Sequence, residues 1–169
     1  HGILLIFDEV QSGMGRTGKW FASEHYGVVP DIMAIAKGIA SGMPLSAVVS
    51  TKEIMMKWTP GAHGTTFGGN PVSCTAAIAT IEVMKKEKLP ENALSTGKYA
   101  FKRLIGMKEK YPRIGDVSGL GLMIGIEFVK KGKPDAEILK KIIKRCRDKG
   151  LIILECGTDK NIIRLAPPL

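Results

Sequence analysis

The chain has 169 residues, 44% of them hydrophobic, and a mean hydropathy of +0.07, the balance of a folded globular protein rather than a disordered tail. No apolar run approaches the roughly 20 residues of a membrane span, and no stretch reads as a secretory signal; the three cysteines, an odd number without CxxC or Cys/His spacing, argue against a disulfide framework or a zinc site and for reduced thiols. The net charge of +9 is spread over stretches such as Lys85-Lys86-Glu87-Lys88 and Lys140-Lys141-Ile142-Ile143-Lys144-Arg145, where it alternates with acids and apolar residues as on a solvated helix face, and so does not point to nucleic acid.

The opening, His1-Gly2-Ile3-Leu4-Leu5-Ile6-Phe7, has no leading cap, and the chain reads as the rear part of a longer protein. Residues 3–7 are expected to form a fully buried strand of the parallel-sheet kind. A glycine-rich loop follows at 12–18, then a short helix over Trp20–Tyr26 and a strand over Asp31–Ala36 that ends on Lys37. Gly38–Pro44 reads as a turn-rich connection and Leu45–Ser50 as another buried strand, followed by a flexible polar stretch around Pro60–Gly69. Asn70-Pro71 is a strong helix start, a capping side chain and then proline at the first helical position, and that helix extends to about Lys86. A second helix is expected from about Glu91 to Lys108.

Composition then changes. Ile114–Val129 reads as one apolar strand with glycines at close-packing points. Asp135–Lys149 reads as a helix with Ile138, Leu139, Ile142, Ile143 and Cys146 on one face and Gly150 as its C-cap. Leu151–Leu154 and Ile162–Leu165 make short strands. The boundary between the two parts is placed at residues 106/107.

Asp8 closes one apolar run, and Lys37, in Ala36-Lys37-Gly38, closes another. An acid and a lysine so placed suit the two anchor points of a pyridoxal phosphate ring. The carboxylate can pair with the protonated pyridine nitrogen, and the amine can hold the aldehyde as a Schiff base. A strand-end carboxylate wants a cationic partner, and a lysine acting as nucleophile is expected to be buried or set beside another cation. Thr66, with the adjacent Thr65 as a competitor, precedes Gly68-Gly69 and the Asn70-Pro71 helix start, where a hydroxyl and free backbone amides suit a phosphate.

Asp8-Glu9-Val10-Gln11-Ser12-Gly13-Met14-Gly15-Arg16-Thr17-Gly18, Ala36-Lys37-Gly38, Thr66-Phe67-Gly68-Gly69-Asn70-Pro71 and Arg164-Leu165-Ala166-Pro167-Pro168-Leu169 resemble class III (ω-amino acid) aminotransferases. The likeness is to the C-terminal portion of the 4-aminobutyrate and ornithine aminotransferase branch. It implies an α/β fold: part of a fold-type I pyridoxal phosphate-dependent transferase large domain, a mostly parallel sheet with helices (1–106), then a small α+β C-terminal domain (107–169). It further implies amino transfer from an ω-amino acid or amino acid to 2-oxoglutarate, in a cytoplasmic homodimer with shared sites. On the resemblance, Lys37 is the catalytic lysine and Asp8 the pyridine partner. Val10 packs on the ring, Gln11 lies near the phenolic oxygen, and Thr66 reaches the phosphate of the neighbouring subunit's cofactor. Arg164 binds the substrate carboxylate through a two-bond clamp.

An amino-acid racemase or epimerase on the same scaffold is the alternative chemistry. The isolated chain is expected to be inactive, since the family's N-terminal parts of the site lie outside it. Arg16 is read as bracing its loop, and His25 and His63 as without triad or metal partners. The loop at 13–18 lacks the Walker Gly-Lys-Ser/Thr. Val117-Ser118-Gly119 departs from the arginine often found between that valine and glycine in the family.

Overall fold

The computed structural model describes residues 2–169 and divides into two compact units, with the boundary between Glu91 and Asn92. In the first unit β1 (Ile6–Asp8) runs parallel to β2 (Ile32–Ile35), and β2 pairs antiparallel with β3 (Ala47–Ser50). A short α1 (Lys52–Met55) and the long α2 (Pro71–Lys86) follow. The expected start of α2 is realised atom by atom. Asn70 Oδ1 accepts the Ser73 N–H at 2.9 Å, and Pro71 occupies the first turn, where a missing N–H costs nothing. Only one turn of 3₁₀ helix, Ala22–His25, forms where a helix over Trp20–Tyr26 was expected.

Burial of residues 3–7 is not borne out: Ile3 is 83% exposed and Ile6 62%. A continuous apolar run implies burial only when both faces of a sheet are covered. Here β1 is an edge strand whose one strand neighbour among the described residues is β2.

The second unit has the better-closed core. Helix α3 (Leu89–Lys110) leads into β4 (Ile114–Leu120), β5 (Met123–Lys130), β6 (Lys133–Pro134), α4 (Ala136–Asp148), β7 (Leu154–Cys156) and β8 (Ile162–Leu165). The strands form an antiparallel sheet in the order β4-β5-β8-β7, with β6 paired to β5. Along β5 the side chains alternate: Ile124, Ile126 and Phe128 are buried, while Gly125 and Glu127 fall on the other face. The buried set packs with Val117, Ile163 and Leu139 of α4, and Phe101 and Leu104 of α3 close over it. This packing draws most of α3 into the second unit and moves the division of compact units ahead of residues 106/107.

Ile114–Val129 is two strands, not one. Leu120 pairs with Met123 across a two-residue turn, Gly121-Leu122. The turn was hidden because Leu122 is itself buried, leaving hydrophobicity continuous through the reversal. The turn also fits tightly against α3: a Cβ at Gly97 would lie 2.2 Å from the Gly121 carbonyl oxygen. Helix α4 matches its expected span. Asp135 Oδ1 accepts the Ile138 N–H at 3.1 Å, and Arg113 forms a close ion pair with the same carboxylate. At the other end Leu151 N–H donates to Cys146 O and Gly150 N–H to Arg147 O, each at 2.9 Å, the paired bonds of a Schellman closure. As a result Leu151–Ile153 leaves the helix as connection, and β7 begins only at Leu154.

Candidate active site

Asp8 is the last residue of β1, and its Cα partner on β2 is Ala34, three residues before Lys37. Because β1 and β2 are parallel, Asp8 and Lys37 come out at the same, carboxyl, edge of the sheet, where open α/β sheets present their ligand-binding groups. Asp8 is exposed there, and its Oδ1 accepts the Val10 N–H at 3.0 Å. This local Asx turn fixes the carboxylate and bends the chain out of the strand. Val10 is half-buried and Gln11 exposed in the turn that follows.

Lys37 does not end a strand, and it is not buried. It opens a 3₁₀ helix, Lys37–Ala40, and is exposed. Its φ is +48°, in the left-handed region that a lysine seldom occupies. Such conformations persist only where the surroundings impose them. Here Ala40 is 1% exposed and the 3₁₀ helix packs against α2. On the other side, a Cβ at Gly38 would stand 3.1 Å from the Cβ of Met14, a contact tighter than ordinary packing allows. The glycine-rich loop therefore rests on the turn that carries the lysine.

That loop is internally tied. Glu9 is 2% exposed; its Oε1 accepts the Ser23 N–H at 2.8 Å and its Oε2 accepts the Ser12 hydroxyl. His25 Nε2 lies 3.1 Å from Thr17 O. Arg16 is half-buried, and burial holds its guanidinium below its ordinary value. The lining of a shallow open recess beside the strand end includes Phe7, Asp8, Glu9, Ser12, Ser23 and Tyr26.

Thr66 is exposed in the segment before α2, in the same unit as Asp8 and Lys37. Arg164 belongs to the second unit. It is half-buried on β8, opposite Gly125 of β5 and Leu154 of β7, on the face away from the Ile124–Ile126 core. Ser118, at the departure from the family pattern, is the partner of Gly125 on β4 and shares that row. The residue that sequence reasoning passed over is Glu9. Strand alternation was the signal available: with Asp8 facing out, Glu9 must face in.

An exposed carboxylate at the end of β1 and an exposed primary amine just beyond the end of the parallel β2, followed by a capped helix start in the same unit, are a donor set that fits pyridoxal phosphate. The chain as a whole is similar to known aminotransferases. The family model described as Aminotransferase class-III matches residues 1–169. The 4-aminobutyrate aminotransferase GabT of Escherichia coli (strain K12) is 48% identical over 172 residues, covering 100% of this chain and 40% of that protein. The alanine/serine racemase of Pyrococcus horikoshii is 51% identical over 170 residues, covering 100% of this chain and 36% of the relative. The crystal structure of a Bacillus anthracis aminotransferase superposes with a TM-score of 0.91 at 38% identity, over 99% of this chain and 41% of that one. The chain thus spans about two fifths of the length of the curated relatives it matches.

Proposed function

This chain belongs to the class III aminotransferases, and from that premise we propose that the full-length protein moves an amino group from an ω-amino acid or amino acid of the 4-aminobutyrate or ornithine kind to 2-oxoglutarate, using pyridoxal 5′-phosphate. The observation that carries the reading is the emergence of Asp8 and Lys37 at one edge of the β1–β2 parallel pair, with Asp8 in register with Ala34. When bound, the cofactor supplies an electron sink for the electrons released at the substrate's amine-bearing carbon.

The chain's own residues do the rest. Lys37 Nζ is the amine that would hold the aldehyde and, once free, move the proton at the amine-bearing carbon. The Asp8 carboxylate, fixed by the Val10 amide, would keep the pyridine nitrogen protonated by charge pairing. Val10 would pack on the ring, and Gln11 would hydrogen-bond near the phenolic oxygen. The Thr66 hydroxyl would bind phosphate in the neighbouring subunit of a cytoplasmic homodimer. Arg164 would hold a substrate carboxylate through two parallel bonds, setting which carbon is presented for reaction. In this reading the large cofactor domain contributes residues 1–106 and the small domain 107–169, and the 169-residue piece is inactive by itself.

The test is an amine-donor screen of the full-length protein with 2-oxoglutarate as acceptor. Glutamate formation in wild type and none in Lys37→Ala supports the reading. The relative that is 51% identical and carries a racemase name gives a second reading, in which the same lysine takes a proton from one face of the carbon and the carbon is reprotonated on the other. Incubation with one amino acid and no keto acid separates them: a change of chirality would overturn the transaminase reading.

A further inference from the structure

We infer that Glu9, through the two hydrogen bonds to its carboxylate, is the positioning residue that sets Asp8, Gln11 and Lys37 relative to one another; the inference rests on the cofactor role proposed for those residues. Four bonds leave this one residue in four directions. Its N–H donates to Ala34 O at 2.9 Å, tying the end of β1 to β2. Its carbonyl accepts the Gly13 N–H at 3.0 Å, closing the turn that carries Val10 and Gln11. Its Oε2 accepts the Ser12 hydroxyl inside that turn, and its Oε1 accepts the Ser23 N–H, 14 residues along the chain, at the far side of the glycine-rich loop. The loop so held carries Met14, which is 6% exposed and packs on Gly38, next to Lys37.

At 2% exposure, Glu9 stands in the wall of the recess beside Asp8 with each carboxylate oxygen engaged by a hydrogen bond from the protein itself. Burying a carboxylate is unfavourable, and an apolar side chain would fill the same space at less cost. What only the carboxylate supplies is two acceptors, so that one rigid group fixes two separate segments. Its effect on chemistry must then pass through its neighbours: Asp8 before it, Val10 and Gln11 after it, and Lys37 through Met14 and Gly38.

The experiment uses the full-length protein with Glu9→Ala, Glu9→Gln, Ser12→Ala and Lys37→Ala. It reads pyridoxal phosphate affinity by titration of the cofactor-free protein, kcat and KM for the amine donor, and the melting temperature. Glu9→Ala is expected to weaken cofactor affinity about tenfold or more, the scale of a lost hydrogen bond to a charged group. It should lower kcat with KM for the amine within about twofold. Glu9→Gln should recover most of both, because its amide oxygen still accepts from Ser23 and the Ser12 hydroxyl can accept in turn. Ser12→Ala, which keeps the Ser23 bond, should weaken affinity severalfold and serves where Glu9→Ala does not fold.

A lower melting temperature with unchanged cofactor affinity and kcat in Glu9→Ala, or unchanged affinity in Ser12→Ala, overturns the inference. A Gln variant no better than Ala also overturns it, since charge rather than bond geometry would then be what matters. Lys37→Ala keeps the two failures apart. If it is inactive while the Glu9 and Ser12 variants behave as wild type, only this inference falls; if it still transfers the amino group, the cofactor reading falls first and takes this one with it.

Discussion

In the second unit Ile124, Ile126 and Phe128 of β5 lie with Val117, Ile163 and a fully buried Leu139 in one apolar cluster. In the first unit the side chains buried around the strand end include Glu9, Thr17 and Ser23, while Ile3, Ile6 and Val49 are exposed. The second unit is held by burial, which is non-directional and tolerant of exchange among apolar residues of similar volume. Around the candidate site, the first unit is held by directed bonds, each of which fixes a particular atom. The charge divides as sharply. Up to Glu91 there are eight acidic and eight basic residues, and from Asn92 on there are eight acidic and seventeen basic, so the whole excess lies in the second unit. The surroundings of Asp8 and Lys37 are thus set mainly by directed bonds, and the β5 core by apolar burial.

If that division holds, mutations should separate function from stability. The largest effect is expected for Lys37→Ala, with transfer lost by about a thousandfold or more and a melting temperature close to wild type, checked by turnover and calorimetry on the full-length protein. Loss of folding instead would break the comparison. Leu139→Ala should do the reverse, costing about 2–5 kcal/mol of stability in urea titration, with turnover per folded molecule unchanged. Asn70→Ala removes the cap of α2, which packs on the lysine turn. It should cost about 1 kcal/mol by the same titration and raise KM for the cofactor more than Leu139→Ala does.

The smallest effect concerns Asp116. Its hydrogen bond from Lys108 Nζ at 2.9 Å holds the carboxyl below its ordinary value. A carboxylate lowered in the folded state stabilises the fold above its unfolded pKa, and that contribution is lost as pH falls through the lowered value. Both side chains are substantially exposed, 37% and 55%, so solvent screening keeps the pair below about 1 kcal/mol. Lys108→Ala should lower the melting temperature slightly at neutral pH and not at all in strong acid.

Much of this division could be read from residue order alone. Asn70-Pro71 and Asp135 mark the starts of α2 and α4 because capping is local chemistry, and both helices follow. The face of Ile138, Leu139, Ile142 and Ile143 packs as its spacing implies. What was not legible depends on contacts distant in sequence. Burial of residues 3–7 rests on what covers the sheet, and a strand's own residues cannot say whether anything does. The Gly121-Leu122 turn is apolar because α3 and the sheet enclose it, so no polar turn signal exists. The anchors Asp8 and Lys37 stood out through their motifs, but Glu9 needs Ser23 and Ala34 brought to it before its part is visible. Exposure of Lys37 could not be read at all.

The left-handed backbone at Lys37 has a consequence for how this position can change. With φ at +48°, glycine is the residue the local backbone would accept most readily, and most L-residues other than Asn and Asp hold that conformation at a cost of about 1 kcal/mol or more. Glycine at position 37 would therefore relieve backbone strain in the turn while removing the amine. Lys88, Lys131 and Lys160 hold the same left-handed backbone, so the strain at Lys37 is a local cost of its turn, one that the role proposed for its amine would offset.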